Sequence, residues 1–179
     1  PEEIGEEQVA EMVRALKATD FGRFTDNFLL VHSQSYPHPA PSLGDDEVLK
    51  KITANMVLAA RIAKECGLKG IFFEAEHYGA AESPYIYRFN YSYAHGKEKE
   101  LLERGLIDKV HTWEEFASAA RRRGREIMSA MCNVYPNITV LSHPGWHENA
   151  KFRRDLFSQK HLSGSDYGLL APFADGLLE

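Results

Sequence analysis

Three short apolar runs, at residues 26–33, 69–73 and 137–141, each follow a segment whose apolar residues recur at helical spacing. That alternation narrows the architectures open to the chain. Strands covered by helices on both faces read as continuous apolar runs. Strands separated by amphipathic helices indicate parallel βαβ units. The middle run is the most sharply bounded. Gly67 stands where a left-handed residue closes a helix, and Leu68 can supply the apolar contact of that stop. Glu74, Glu76, His77, Tyr78 and Gly79 then follow in quick succession. Residues two apart on a strand share a face, about 6–7 Å apart along it, so Glu74 and Glu76 are expected to point the same way. In parallel α/β sheets this carboxyl end is where chemistry is placed.

The rest of the chain fits the same alternation. Ile4, Val9, Met12, Val13 and Leu16 space a first helix over 3–17. The run 26–33 (DNFLLVHS) reads as a buried strand ending in His32 and Ser33, and three prolines mark 34–44 as a loop. Asp45 is the expected N-cap of a long helix carrying Val48, Ile52, Met56, Ala59, Ala63 and Cys66 as one stripe. Aromatics then alternate with other residues from Tyr85 to Tyr93, which suggests an extended excursion, and 97–104 reads as a short helix closed by Gly105. Thr112 and Glu115 form a capping box that opens the clearest helix of the chain. Gly124 in its middle is read as a point of close packing, and Pro136 ends it. The third apolar run, 137–141, leads into Ser142, His143, Pro144, Gly145, Trp146 and His147. A short helix follows Tyr167, and 176–179 reads as the first residues of a fourth strand.

The expected fold is therefore α/β, an incomplete (β/α)8 TIM barrel of about four parallel strands with amphipathic helices on the outside. A closed eightfold barrel takes at least ~200 residues, and 179 fall short of that. The length fits a single domain spanning 1–179.

Composition narrows the partners. The chain is 44% hydrophobic and 26% charged, with a formal net charge of −5. Nucleic-acid binders usually carry a basic surplus, so no nucleic-acid partner is expected. Arg121, Arg122, Arg123 and Arg125 sit among Glu114, Glu115 and Glu126 and read as a solvated helix face. No apolar run has the length of a membrane span. Cys66 and Cys132 read as small core residues. The first residue is Pro1, so an export signal could lie upstream or have been removed, which leaves secretion or a periplasmic location open.

The runs LKGIFFEAEHYG, RRRGREIMSAMCNVYPNITVL and YGLLAPFADGLLE together resemble a bacterial group of glycoside-hydrolase-like TIM-barrel proteins, over residues 26–179. In that group the central motif reads apolar-apolar-Asp-Pro-Glu, then an aromatic and a glycine. Here Glu74 replaces the Asp and Ala75 the Pro, while Glu76, Tyr78 and Gly79 keep the pattern. The resemblance implies a (β/α)8 barrel and a carbohydrate substrate. No cofactor is expected.

Glycosidases need two carboxyl groups, about 5–5.5 Å apart in retaining enzymes and about 6.5–9.5 Å in inverting ones. Glu76, nearer the strand end, is the expected proton donor or base, and Glu74 its support. His32, His77, Tyr78, His143 and Trp146 are the expected substrate-binding residues, the aromatics because sugar rings stack on their faces. Two alternatives stay open. One is a metal-dependent hydrolase or isomerase using His32, Glu76, His77 and His143. The other is a carbohydrate-binding barrel that has lost catalysis.

Overall fold

The computed structural model describes residues 3–32, 46–75, 89–143 and 159–179. Their order is α1 (Glu6–Ala18), β1 (Phe28–His32), α2 (Asp46–Glu65), β2 (Gly70–Glu74), α3 (Tyr91–Glu103), α4 (Trp113–Val134), β3 (Thr139–His143), α5 (Gln159–Ser163) and α6 (Leu170–Leu177). Among the described residues there are two compact units. One takes 3–32, 46–75 and 126–143, the other 89–125 and 159–179.

The first unit is built on one sheet of order β1-β2-β3, with both pairings parallel. Phe28 faces Gly70, and Gly70 faces Thr139, so all three strands start and end level. Backbone bonds continue the pairing past the strand ends: Lys69 N–H donates to Asn27 O at 2.8 Å, and Ala75 N–H to His143 O. Ile71 and Phe73 on one face of β2 are buried, and α2, which packs on β1 and β2, buries Met56, Ala59, Ala60, Ile62 and Ala63. The opposite face is more open, with Leu30 54% and Leu141 41% exposed on either side of a half-buried Phe72.

The stop of α2 is the one expected. Gly67 has φ +68°, and Leu68 N–H reaches back to Ala63 O at 2.8 Å. This left-handed closure turns the chain straight into β2. The Tyr135 hydroxyl donates to Leu68 O at 2.9 Å, and Lys64 Nζ to Val134 O at 2.8 Å, fastening this turn to the end of α4. The first helix, α1, buries no residue and is held by polar contacts. Arg61 pairs with Glu6 at 2.6 Å, Lys17 with Glu65 at 2.9 Å, and Ile4 N–H donates to Asn55 Oδ1 at 2.8 Å.

The fold is not the expected barrel. It is a small α/β protein with six helices and a three-stranded parallel sheet among the described residues. The fourth strand is absent because residues 176–177 finish α6, whose apolar side chains Leu170, Phe173 and Leu177 recur at helical spacing. Pro172 is tolerated there because the first turn of a helix has unpaired N–H groups in any case. Tyr91 and Tyr93 likewise belong to a helix instead of an extended excursion. Asn90 caps α3, its side chain accepting from Tyr93 N–H at 2.9 Å. Residues 85–88 and the expected cap Asp45 lie outside the described residues.

In the second unit α6 lies against α4 at a glycine contact. A Cβ on Gly124 would collide with Phe173 O, and one on Gly176 with Arg121 O. Arg121 pairs with Asp175 at 2.6 Å and Arg125 with Glu179 at 2.9 Å along the same contact. Gly124→Ala should therefore cost about 1–3 kcal/mol, the usual scale of overpacking, although alanine favours an isolated helix by up to ~1 kcal/mol. Urea unfolding measures it, and a variant as stable as the parent would contradict the close contact.

Candidate functional site

In a parallel pair, residues in register point to the same face, and neighbouring strands lie about 4.8 Å apart. His32 is in register with Glu74, and Glu74 with His143. The last residues of all three strands thus form one row at the carboxyl edge: imidazole, carboxylate, imidazole. Glu74 is central and buried, 8% exposed, whereas His32 and His143 are exposed. The Phe72 ring, one step below Glu74 on this face, stacks with His143 at 6.4 Å and 25°. Ser142 falls on the other face.

A buried carboxylate can accept hydrogen bonds from hydroxyl groups or, when protonated, donate one; imidazoles on either side can do both. The row thus brings together groups able to accept and to donate hydrogen bonds. Of the residues singled out from the sequence, the structure brings His32, Glu74 and His143 together. Glu76, His77, Tyr78 and Trp146 lie outside the described residues, as does Ser33. Among the described residues no group of three or more His, Cys, Asp or Glu is arranged to hold a metal ion.

A second polar cluster, in the other unit, was missed. Glu98 on α3 is buried and accepts twice from His111, from the backbone N–H at 2.7 Å and opposite ring Nδ1 at 2.8 Å. His95 Nδ1 lies 3.0 Å from His111 O and 3.2 Å from the Tyr91 hydroxyl. Since a carbonyl can only accept, the network assigns the proton to His95 Nδ1. Tyr91 meets Trp113 and Phe116 edge-on at 5.4 and 5.5 Å. Burial first, then the Glu114 and Glu98 carboxylates, push its phenol up, so it stays protonated. The spacing of His95 and Glu98, three apart on one helix, was the only local signal; the pairing with His111 comes from the fold.

The capping box seen in the sequence forms at the start of α4, directly after His111. Thr112 N–H donates to Glu115 Oε2 at 2.8 Å, and Glu115 N–H to Thr112 Oγ1 at 3.3 Å.

Comparison with protein-family models, with curated proteins and with solved structures finds no match. No helix among the described residues is long and apolar enough to cross a membrane.

The Lys109 ammonium, then the Thr112 N–H, hold the Glu115 carboxyl below the usual range. A lowered carboxyl stabilises the fold above the unfolded value, about 4.3 for glutamate, and that contribution is lost as pH falls through the folded one. The thermal midpoint of Glu115→Gln should thus lie below the parent's at pH 7 and converge on it below about pH 4. An equal gap at both pH values would contradict this role for the charge.

Proposed function

We propose that this chain is a glycoside-hydrolase-like protein that acts on carbohydrate by carboxylate acid/base chemistry at the carboxyl edge of its three-stranded sheet. The observation that carries the reading is the row His32, Glu74, His143. It supplies one buried carboxylate between two exposed imidazoles on a surface with apolar Leu30, Phe72 and Leu141 below. Such a mixture of flat apolar area and convergent polar groups is how sugars, with apolar ring faces and a rim of hydroxyls, are held. The sequence likeness adds carbohydrate as the substrate class.

In this reading Glu76 is the proton donor or base. Glu74, at the end of β2 and largely enclosed, is the supporting carboxylate that orients a sugar hydroxyl or a neighbouring side chain. His32 and His143 bind hydroxyls at the flanks. Tyr78 and Trp146 offer ring faces for stacking, and His77 a further hydrogen bond.

Sugar release from a panel of nitrophenyl glycosides and plant and bacterial oligosaccharides tests the reading. With the responsive glycan, Glu76→Gln should lower kcat by about 100-fold or more, the scale of losing a general acid or base. Glu74→Gln should leave more activity than Glu76→Gln. An undiminished kcat in Glu76→Gln would remove the assignment. Glycan binding without any turnover would favour a carbohydrate-binding protein instead.

A further inference from the structure

The carbohydrate reading makes no use of α1, whose attachment to α2 is polar and peripheral. The helix buries no residue. Val9, Val13 and Leu16 form a half-buried stripe at helical spacing, and every other residue of α1 is exposed. By contrast α2, on which it rests, is anchored in the core by Met56, Ala59, Ala60, Ile62 and Ala63. Polar contacts fix α1 at its two ends. At the start Glu6 pairs with Arg61 at 2.6 Å and Ile4 N–H donates to Asn55 Oδ1 at 2.8 Å; at the end Lys17 pairs with Glu65 at 2.9 Å. The four charged side chains are between 46% and 74% exposed. Ion pairs so exposed contribute little and are screened by salt. The link to β1 can absorb a movement of α1. Thr19 bonds back into α1, Gly22 turns at φ +55°, and Asn27 is already tied to the sheet by Lys69 N–H. Directly after α2 comes Cys66, half-buried. Burial pushes its thiol up, and the Lys17 ammonium, close enough to act on it, pulls the other way.

We propose that α1 is a salt-sensitive strap, which leaves α2 as one unit by turning at residues 20–23 while α2 and the sheet stay folded. Opening breaks two exposed ion pairs and one hydrogen bond and frees a half-buried stripe, but no buried residue leaves the core with α1. Segments with few buried apolar contacts are the ones that open below the global unfolding free energy. The movement uncovers the α2 face that carries Asn55, Arg61 and Glu65. It also takes Lys17 away from Cys66, so α1 gates access to that thiol. A terminal helix that merely frays would expose its amides too, so the test must separate opening as a unit from loss residue by residue.

Amide hydrogen exchange on the full chain, read residue by residue by NMR, makes that separation. The amides of residues 10–18 should share one protection factor, well below that of Ile71–Phe73 in β2. Raising NaCl from about 0.05 M to about 1 M, where the Debye length falls to about 3 Å, should speed their exchange by roughly tenfold and leave β2 unchanged. The double variant Glu6→Gln, Lys17→Gln should exchange as fast at low salt and lose the salt dependence. Labelling of Cys66 by N-ethylmaleimide, read by mass spectrometry against Cys132, should accelerate in step. Removing the Lys17 ammonium would by itself leave less thiolate and slow the reaction, so acceleration in the variant reads access. A gradient of rates rising steadily toward residue 10 would make α1 a fraying end and overturn the proposal. So would exchange of α1 at the β2 rate, or exchange indifferent to both salt and the double variant. Unchanged labelling of Cys66 would overturn the gate.

Discussion

Level, parallel pairing of β1, β2 and β3 is the constraint on which the rest of the first unit depends. Side chains alternate with period two, so a slip of one residue in any strand turns its whole set to the opposite face. In the observed register Ile71 and Phe73 are buried on the face of β2 opposite Phe72. The same register brings His32, Glu74 and His143 into one row. The candidate site is thus a consequence of how the core packs. No feature local to any of the three residues would assemble it.

Two buried carboxylates mark the two units, and burial of a carboxylate is costly unless it is hydrogen-bonded. Glu98 meets that cost through two donors on one residue. Glu74 stands at the very end of a strand, where β2 emerges from the packed interior. Their settings differ accordingly. Glu98 is committed to a single histidine on a loop closed by the α4 cap, while Glu74 is flanked by residues of two other strands.

Features set by local chemistry were legible in the sequence. The Gly67 stop, the Thr112 and Glu115 cap, and the close packing at Gly124 each rest on a few adjacent residues, and each appears in the structure. The three strands were legible as short apolar runs, but only β2 is buried as expected: β1 and β3 hold no buried residue, because the sheet face carrying Leu30 and Leu141 is the more open one. The boundary errors have a common cause. β3 runs to His143, beyond the apolar run, because Ser142 and His143 gain backbone partners on β2 whatever their side chains are. α3 starts at Tyr91 because the Asn90 side chain caps it, and Asn90 in turn is held by Asp166, 76 residues away. The barrel expectation failed at 176–179, where four residues were too few to distinguish the end of a helix from the start of a strand. Pairing between Glu98 and His111 crosses 13 residues and has no periodic signature.

The most direct test of the central claim is a through-hydrogen-bond scalar coupling across the carboxyl edge of the sheet, measured by NMR on 15N,13C-labelled protein. Ala75 N–H donates to His143 O at 2.6 Å, so a coupling between Ala75 15N and the His143 carbonyl 13C should be detected. That register carries Glu74 opposite His143. A coupling from Ala75 to the carbonyl of Ser142 instead would mean a slip of one residue. His143 would then leave the row, and the site built on it would be lost.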